Sequence, residues 1–411
     1  MNTLLDRFCR YVAIETTSNE DTETYPSSPG QLELGRVLAA ELKALGLLDV
    51  SQNEHGIVVG TVPGNIHGAP TVAWLAHLDT SPEVSGKAVR PQVIRAYDGR
   101  DIVLPADPSR VIRVEDAPQL AGLQGKTLIT TDGTTLLGAD DKAGIAVIVT
   151  AAEGLLRSAV KHGPIRVVFT CDEEIGRGTD RLEVAEIGAV VAYTLDGEAA
   201  GVIENETFSA DLAVIAIEGR NIHPGLAHGK MVNAIRIAAG LVERLPKDSS
   251  PERTQGREPF LHPYRIEGGV EKVEIRILLR TFDGQALAQQ AELIRQAARQ
   301  LEIDWPGSRI TVDIRRQYRN MAEYLTKEPR AVDLAVEAHR ALGIEPQFHS
   351  IRGGTDGSRL SEMGLPTPNL STGMHNFHSP LEFACLEEMD TAVRVLLELA
   401  RLWGLEREPT G

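Results

Sequence analysis

The sequence predicts an α/β protein interrupted by a second, α+β domain, and three observations carry the prediction. Its 411 residues exceed the usual single-domain size and set a prior of about two to three domains. Apolar runs such as 71–77 and 164–170 have the continuous character of strands covered on both faces, and they are interleaved with helical patterns. From about residue 209 the order becomes strand, helix, strand, strand, helix, strand, the split βαβ arrangement of a ferredoxin-like domain. The reading is therefore a first domain over 1–208 and 319–411, with a ferredoxin-like domain inserted over 209–318.

Taken in order, Leu4, Leu5, Phe8, Val12 and Ile14 recur near helical spacing and predict a helix over 3–14. A polar loop with Pro26 and Pro29 follows. Leu34, Val37, Leu38, Leu42 and Leu45 then predict a second helix, stopped by Gly46. Strands are expected at 56–62 and 71–77. Residues 82 to about 130, rich in Pro, Gly and Asp, read as a long insertion that closes in a strand and turn at 128–133. A helix is expected over 145–156, then strands at 164–170 and 188–196. In the inserted domain strands are expected at 211–218, 264–268, 270–282 and 309–318, with helices at 232–245 and 285–302. The last part predicts a helix at 331–342, a glycine-rich turn at 352–357 opening a short helix, and a final helix over 386–404.

Composition excludes several classes. Lys and Arg number 42 against 58 Asp and Glu, a net charge of −16 that repels phosphate backbones, so nucleic acid is not an expected partner. No apolar run reaches membrane-spanning length, which argues against a membrane partner. Cys9, Cys171 and Cys385 are far apart and form no CxxC pair, so neither a disulfide framework nor a thiolate zinc site is indicated. With an N-terminus lacking the pattern of a signal peptide, the expected location is cytoplasmic.

The chemistry is concentrated at strand ends. The apolar run ending at Thr170 passes into Asp172, Glu173 and Glu174, like charges that are unfavourable near a core unless a cation sits among them. The strand 71–77 ends in His77-Leu78-Asp79, where alternation turns the imidazole and the carboxylate to one side. Asp140 and Asp141, flanked by Gly138, Ala139, Ala143 and Gly144, precede a helix, and capping accounts for only one of them. A further apolar strand ends at Asp196. In an open α/β sheet the ligand crevice lies outside the carboxyl ends of the strands, so these ends describe one site. With His375 and His378 the set is the nitrogen and oxygen donor set of zinc, cobalt or manganese, and two metals become plausible.

His77-x-Asp79, Gly138-Ala139-Asp140-Asp141-Lys142, Asp172-Glu173-Glu174-Ile175-Gly176, Asp196-Gly197, His223-Pro224-Gly225 and Asn376-Phe377-His378 occur in the order found in a known family. The chain resembles the co-catalytic zinc peptidases and deacylases related to carboxypeptidase G and acetylornithine deacetylase. Residues 136–144, Ser85-Gly86-Lys87 and the insertion between them are similar to the tripeptide aminopeptidases of that superfamily.

The resemblance spans essentially the whole chain. It implies a catalytic domain with a central mixed sheet flanked by helices, and a ferredoxin-like lid. It implies two divalent metal ions, zinc first, with His77 and Asp196 on one, Glu174 and His378 on the other, and Asp140 on both. Asp79 is then the carboxylate orienting His77, Glu173 the general base acting on a water shared by the ions, and His223 the oxyanion stabiliser. His223 requires domain motion or a homodimer to reach substrate. Arg280 and Arg352 are the expected partners of a substrate carboxylate. Asp141 and His375 are left as non-ligands.

The implied activity is release of the N-terminal residue from tripeptides, with a related carboxypeptidase or N-acyl-amino-acid deacylase as the alternative. The chain departs from the family after Asp196, where relatives carry two glycines and it has Gly197-Glu198.

Overall fold

The alternation of covered strands and amphipathic helices resolves, in the computed structural model, into a mixed sheet of eight strands. Residues 3 to 407 are described. Across the sheet the strands run Leu48–Gln52, Val58–Val62, Ile165–Thr170, Val72–His77, Val191–Gly197, Asn369–Ser371, Val202–Thr207 and Gln347–Ile351. Ile165–Thr170, Val72–His77, Val191–Gly197 and Asn369–Ser371 are mutually parallel, so their carboxyl ends open on one edge. Val58–Val62 and Val202–Thr207 flank them in antiparallel pairing.

Two hydrophobic clusters sandwich this sheet and explain why its central strands lack alternation. Trp74, Ala76, Val167, Phe169 and Tyr193 point into one cluster, shared with the helices Leu4–Val12, Pro29–Leu45, Ala139–Arg157 and Leu386–Trp403. Their neighbours Ala73, Leu75, Val168 and Ala192 point into the other, beside Leu360 of the helix Asp356–Glu362. Every residue of Val72–His77 is buried as a result.

The insertion after residue 82 has its own small core of Tyr97, Leu104, Leu120 and Leu128, joined by Phe383 and Cys385. Its strands Gln92–Ile94 and Leu128–Thr130 form one sheet with Phe383–Cys385 and Met374–His375. The insertion is thus knit to the segment that carries His378.

The chain divides into two units. One holds the residues up to Asn205, Glu323–His349 and those from Thr355 onward; the other is Glu206–Ala322 with Ser350–Gly354. In the second, the antiparallel sheet runs Phe260–Gly268, Lys272–Thr281, Ser209–Glu218, Arg309–Tyr318. The helices Ala234–Arg244 and Gly284–Asp304 bury Ile237, Leu241, Leu287, Ile294 and Leu301 against one face, the order and layering of a ferredoxin-like fold. The inserted segment read from the sequence, 209–318, lies within this unit, which also takes in Ser350–Gly354.

Four strands of the eight-stranded sheet were not expected from the sequence. Leu48–Gln52 alternates over only four residues and is largely exposed, Gln347–Ile351 is exposed without alternation, Val202–Thr207 changes from apolar to polar, and Asn369–Ser371 is only three residues long.

Candidate metal centre

Parallel pairing sets His77 level with Thr170, so the end of Val72–His77 lies beside the turn that carries Asp172, Glu173 and Glu174. On its other side Val191–Gly197 carries Asp196 as its last residue but one. Asp140 and Asp141 have non-helical backbone ahead of the regular part of Ala139–Arg157. The loop after Met374–His375 supplies His378. Asp172, Asn376 and His378 all have positive φ, a conformation that costs a non-glycine residue roughly 1–3 kcal/mol and persists only where the surroundings enforce it.

These segments form two groups, His77 with Asp140 and Asp196, and Asp140 with Glu174 and His378, in each of which the ligand atoms lie within 4.8 Å of one another. Asp140 belongs to both and divides its oxygens between them. Its Oδ1 is 2.9 Å from His77 Nε2, and its Oδ2 is 3.3 Å from His378 Nε2. Asp196 Oδ1 is 3.5 Å from His77 Nε2, and Glu174 Oε2 is 2.8 Å from His378 Nε2.

The tautomer of His77 follows from its other nitrogen. Nδ1 is 3.1 Å from the backbone oxygen of Asp79, which can only accept, so Nδ1 carries a proton; Nε2 donates to Asp140 in the cationic ring and is the nitrogen left to a cation once that proton is lost. The sequence reading gave this orienting role to the Asp79 carboxylate, whose Oδ1 is 3.5 Å away. That carboxylate also accepts the backbone N–H groups of Glu173 at 3.0 Å and Glu174 at 3.1 Å, fixing the acidic turn.

The electrostatics show a cluster short of positive charge. Burial, followed by the charge of Asp140, pushes Glu174 up to about 8 and Asp196 up to about 7. Burial raises Glu173 well above the carboxylate range; His77 opposes this, while Asp196, Asp356 and Glu174 add to it. Burial also works against the charge of Asp140, but hydrogen bonds from His378 and His77 outweigh it and hold this carboxyl low. The imidazoles respond in kind. Burial opposes the cationic form of both, yet bonds to Asp140, Asp196 and Asp79 raise His77 well above its ordinary value, and bonds to Asp140 and Glu174 push His378 up to about 11.

The donor set therefore fits divalent cations. Two imidazoles and three carboxylates face inward, the carboxylate common to both groups splits its oxygens between them, and Glu174 Oε1 is a buried acceptor with no hydrogen-bond partner.

The remaining expected residues lie elsewhere or are bound otherwise. Asp141 accepts the N–H of His77 through Oδ2 and of Gly144 through Oδ1. His375 bonds Glu388 through Nε2 at 2.7 Å and stacks on Phe383. His223, Arg280 and Arg352 belong to the second unit. His223 is exposed and its Nδ1 accepts the Gly225 N–H, which leaves Nε2 as the donor of the neutral ring. Arg280 donates to Gln317 and to the Leu279 carbonyl. Arg352 donates to Thr254 and to the carbonyls of Gly256 and Glu258, and lies over Phe208 and Phe260.

Sequence reasoning singled out Asp172 without giving it a role, and it missed Glu382. Asp172 is fully buried and accepts from the Ser27 N–H and hydroxyl and from Gln31 Nε2, tying the acidic turn to the start of Pro29–Leu45. Glu382 is buried four residues beyond His378 and accepts three backbone N–H groups ahead of and at Asp140. Neither has a signal in spacing, because the partners are distant in the chain.

An open α/β sheet whose parallel strands converge on such a carboxylate and imidazole set defines a metal-dependent hydrolase. Residues 131–402 match Peptidase family M20/M25/M40, and the chain belongs to that family. Peptidase T of Bacillus subtilis is 46% identical to it over 400 residues, 97% of this chain and 98% of that one. Two solved structures are similar along their length. Aminopeptidase PepT from Bacillus cereus has a TM-score of 0.75 at 24% identity over 97% of this chain and 98% of that one. A tripeptidase from Staphylococcus aureus has a TM-score of 0.76 at 23% identity over 98% of each chain. The resemblance read from the motifs and the α/β class are borne out, and the chain is a metallopeptidase.

Proposed function

We propose that the chain is a two-metal aminopeptidase that releases the N-terminal residue from tripeptides. The observation that carries the reading is Asp140, whose Oδ1 faces His77 and whose Oδ2 faces His378. His77 and Asp196 would hold one divalent cation, Glu174 and His378 the other, and Asp140 both, with zinc expected and cobalt or manganese as substitutes. Bound there, the ions supply Lewis-acid polarisation of the scissile carbonyl and acidify water.

The chain's own groups do the rest. Glu173, adjacent to Glu174 and half-buried, takes the proton from the attacking water on its carboxylate and returns it to the leaving amine. Asp79 keeps Glu173 and Glu174 in place through their backbone N–H groups. His223 donates its Nε2–H to the developing oxyanion, delivered by the second unit of this chain or by that of a partner in a homodimer. In this reading the second unit is a lid or dimerisation domain inserted over 209–318. Arg280 or Arg352 pairs with the substrate carboxylate through donors beyond those already committed.

Among the described residues no helix is long and apolar enough to cross a membrane. A cytoplasmic location belongs to the same reading. Likeness to peptidase T and to the two solved peptidases supports the substrate class.

The test is product analysis on free, N-blocked and C-amidated tripeptides with metal-replete protein. Release of the first residue from the free peptide is expected. Cleavage of the N-blocked peptide but not the free one would replace the aminopeptidase by a deacylase or carboxypeptidase.

A further inference from the structure

Asp140 and His378 come from segments far apart in sequence, and one buried side chain spans the two. Glu382 is 1% exposed and follows His378 by four residues. Its Oε2 accepts the N–H of Leu137 at 2.7 Å and of Gly138 at 2.8 Å, and its Oε1 accepts that of Asp140 at 3.1 Å. Gly138 has φ +77 and Asp140 is non-helical, so these N–H groups belong to an irregular turn rather than to a helical ladder. The carboxylate supplies their acceptors. At the same time it fixes the turn to the segment that carries His378.

The arrangement repeats across the site. Asp79, two residues beyond His77, grips the backbone of Glu173 and Glu174; Glu382, four beyond His378, grips the backbone at Asp140. Each imidazole-bearing segment thus sends a carboxylate to hold a carboxylate-bearing turn. An ordinary capping role would need only the N–H groups of one turn. Here the side chain also comes from the segment that carries His378, whose Nε2 lies 3.3 Å from Asp140 Oδ2.

We infer that Glu382 is a positioning residue that sets Asp140 against His378 so that both ions can be held; this rests on the two-metal reading above. The test is cobalt(II) titration of the full-length, metal-free protein, followed by calorimetry and by the visible cobalt spectrum. The parent takes up two ions. In Glu382→Gln, which keeps the shape and loses one acceptor oxygen, affinity falls about 10–100-fold and the spectrum changes.

Glu153→Gln serves as the control for lost stability alone, since Glu153 is a buried carboxylate paired with Arg7 and Arg157 on the helix Ala139–Arg157. It lowers the unfolding temperature and leaves cobalt binding as in the parent. If Glu382→Gln behaves like this control, the role of Glu382 is overturned while the two-metal reading stands. A parent that takes up no divalent ion overturns the two-metal reading and Glu382's role with it. Should Glu382→Gln not fold, Glu382→Asp, which keeps the charge but shortens the reach, is titrated instead, and parental affinity and spectrum in it overturn the inference.

Discussion

Gly144→Ala separates local propensity from tertiary packing, because the two predict opposite signs. Alanine is favoured over glycine in a helix interior by roughly 1 kcal/mol, so propensity alone predicts a more stable protein. In the fold, a β-carbon on Gly144 would lie 1.9 Å from the Leu195 carbonyl oxygen and 2.3 Å from Asp141 Oδ1. Restoring even a 3.0 Å contact requires a separation of 3.0 − 1.9 = 1.1 Å between the helix and the strand that carries Asp196.

Neither neighbour yields easily. Leu195 lies in the parallel sheet, and Asp141 Oδ1 accepts the N–H of Gly144 itself. Overpacking costs about 1–3 kcal/mol, and with rigid neighbours the upper end applies. Against the propensity gain, a net loss of about 2 kcal/mol remains. In a unit of this size that lowers the midpoint by roughly 3–4 °C. Thermal unfolding of the metal-free variant and parent measures it. A variant midpoint at or above that of the parent would refute the argument that close approach of helix and strand forces glycine here.

Three further outcomes are expected. Glu173→Gln should lower kcat by about 10²–10⁴-fold with KM and metal content near those of the parent, checked by steady-state kinetics and metal analysis. Chelation should abolish peptide hydrolysis and lower the unfolding temperature, since a cation at 100 times its Kd stabilises by about 2.7 kcal/mol, and add-back should restore both. His339 is 2% exposed, and burial holds it below its ordinary 6.5, although its bond to the Ala335 carbonyl opposes the shift. A depressed histidine gives stability that is intact above about 6.5 and lost as pH falls through the folded value, because the unfolded chain takes the proton first. Urea midpoints of His339→Gln should therefore fall less than the parent's between pH 7.5 and 5.5, and an equal fall would exclude His339 as a source of acid lability.

The candidate donor groups were legible because their chemistry is local. A carboxylate at the end of an apolar strand is visible in the strand itself, and so are the alternation linking His77 to Asp79 and the small residues around Asp140. The strands and helices of 209–318 were legible for the same reason, since their periods follow one another without long excursions. Asp79 shows what such reading leaves out. Its position beside His77 suggested an imidazole partner, and nothing local told that its carboxylate also accepts from a turn 94 and 95 residues away.

By itself the sequence determined which residues carry the donor atoms, the α/β class that gathers them at one sheet edge, and the family to which the chain belongs. These follow from periodicity and from side chains at strand ends, both short-range properties of the chain. Only the tertiary structure decided that Asp140 divides its oxygens, that Asp172 ties the acidic turn to Ser27 and Gln31, and that Glu382 holds the turn before Asp140. Each depends on a hydrogen bond or close approach across more than sixty positions of chain, from 63 between His77 and Asp140 to 245 between Leu137 and Glu382. Such contacts are set by how sheet, helix and insertion pack, and no local pattern of residues encodes them.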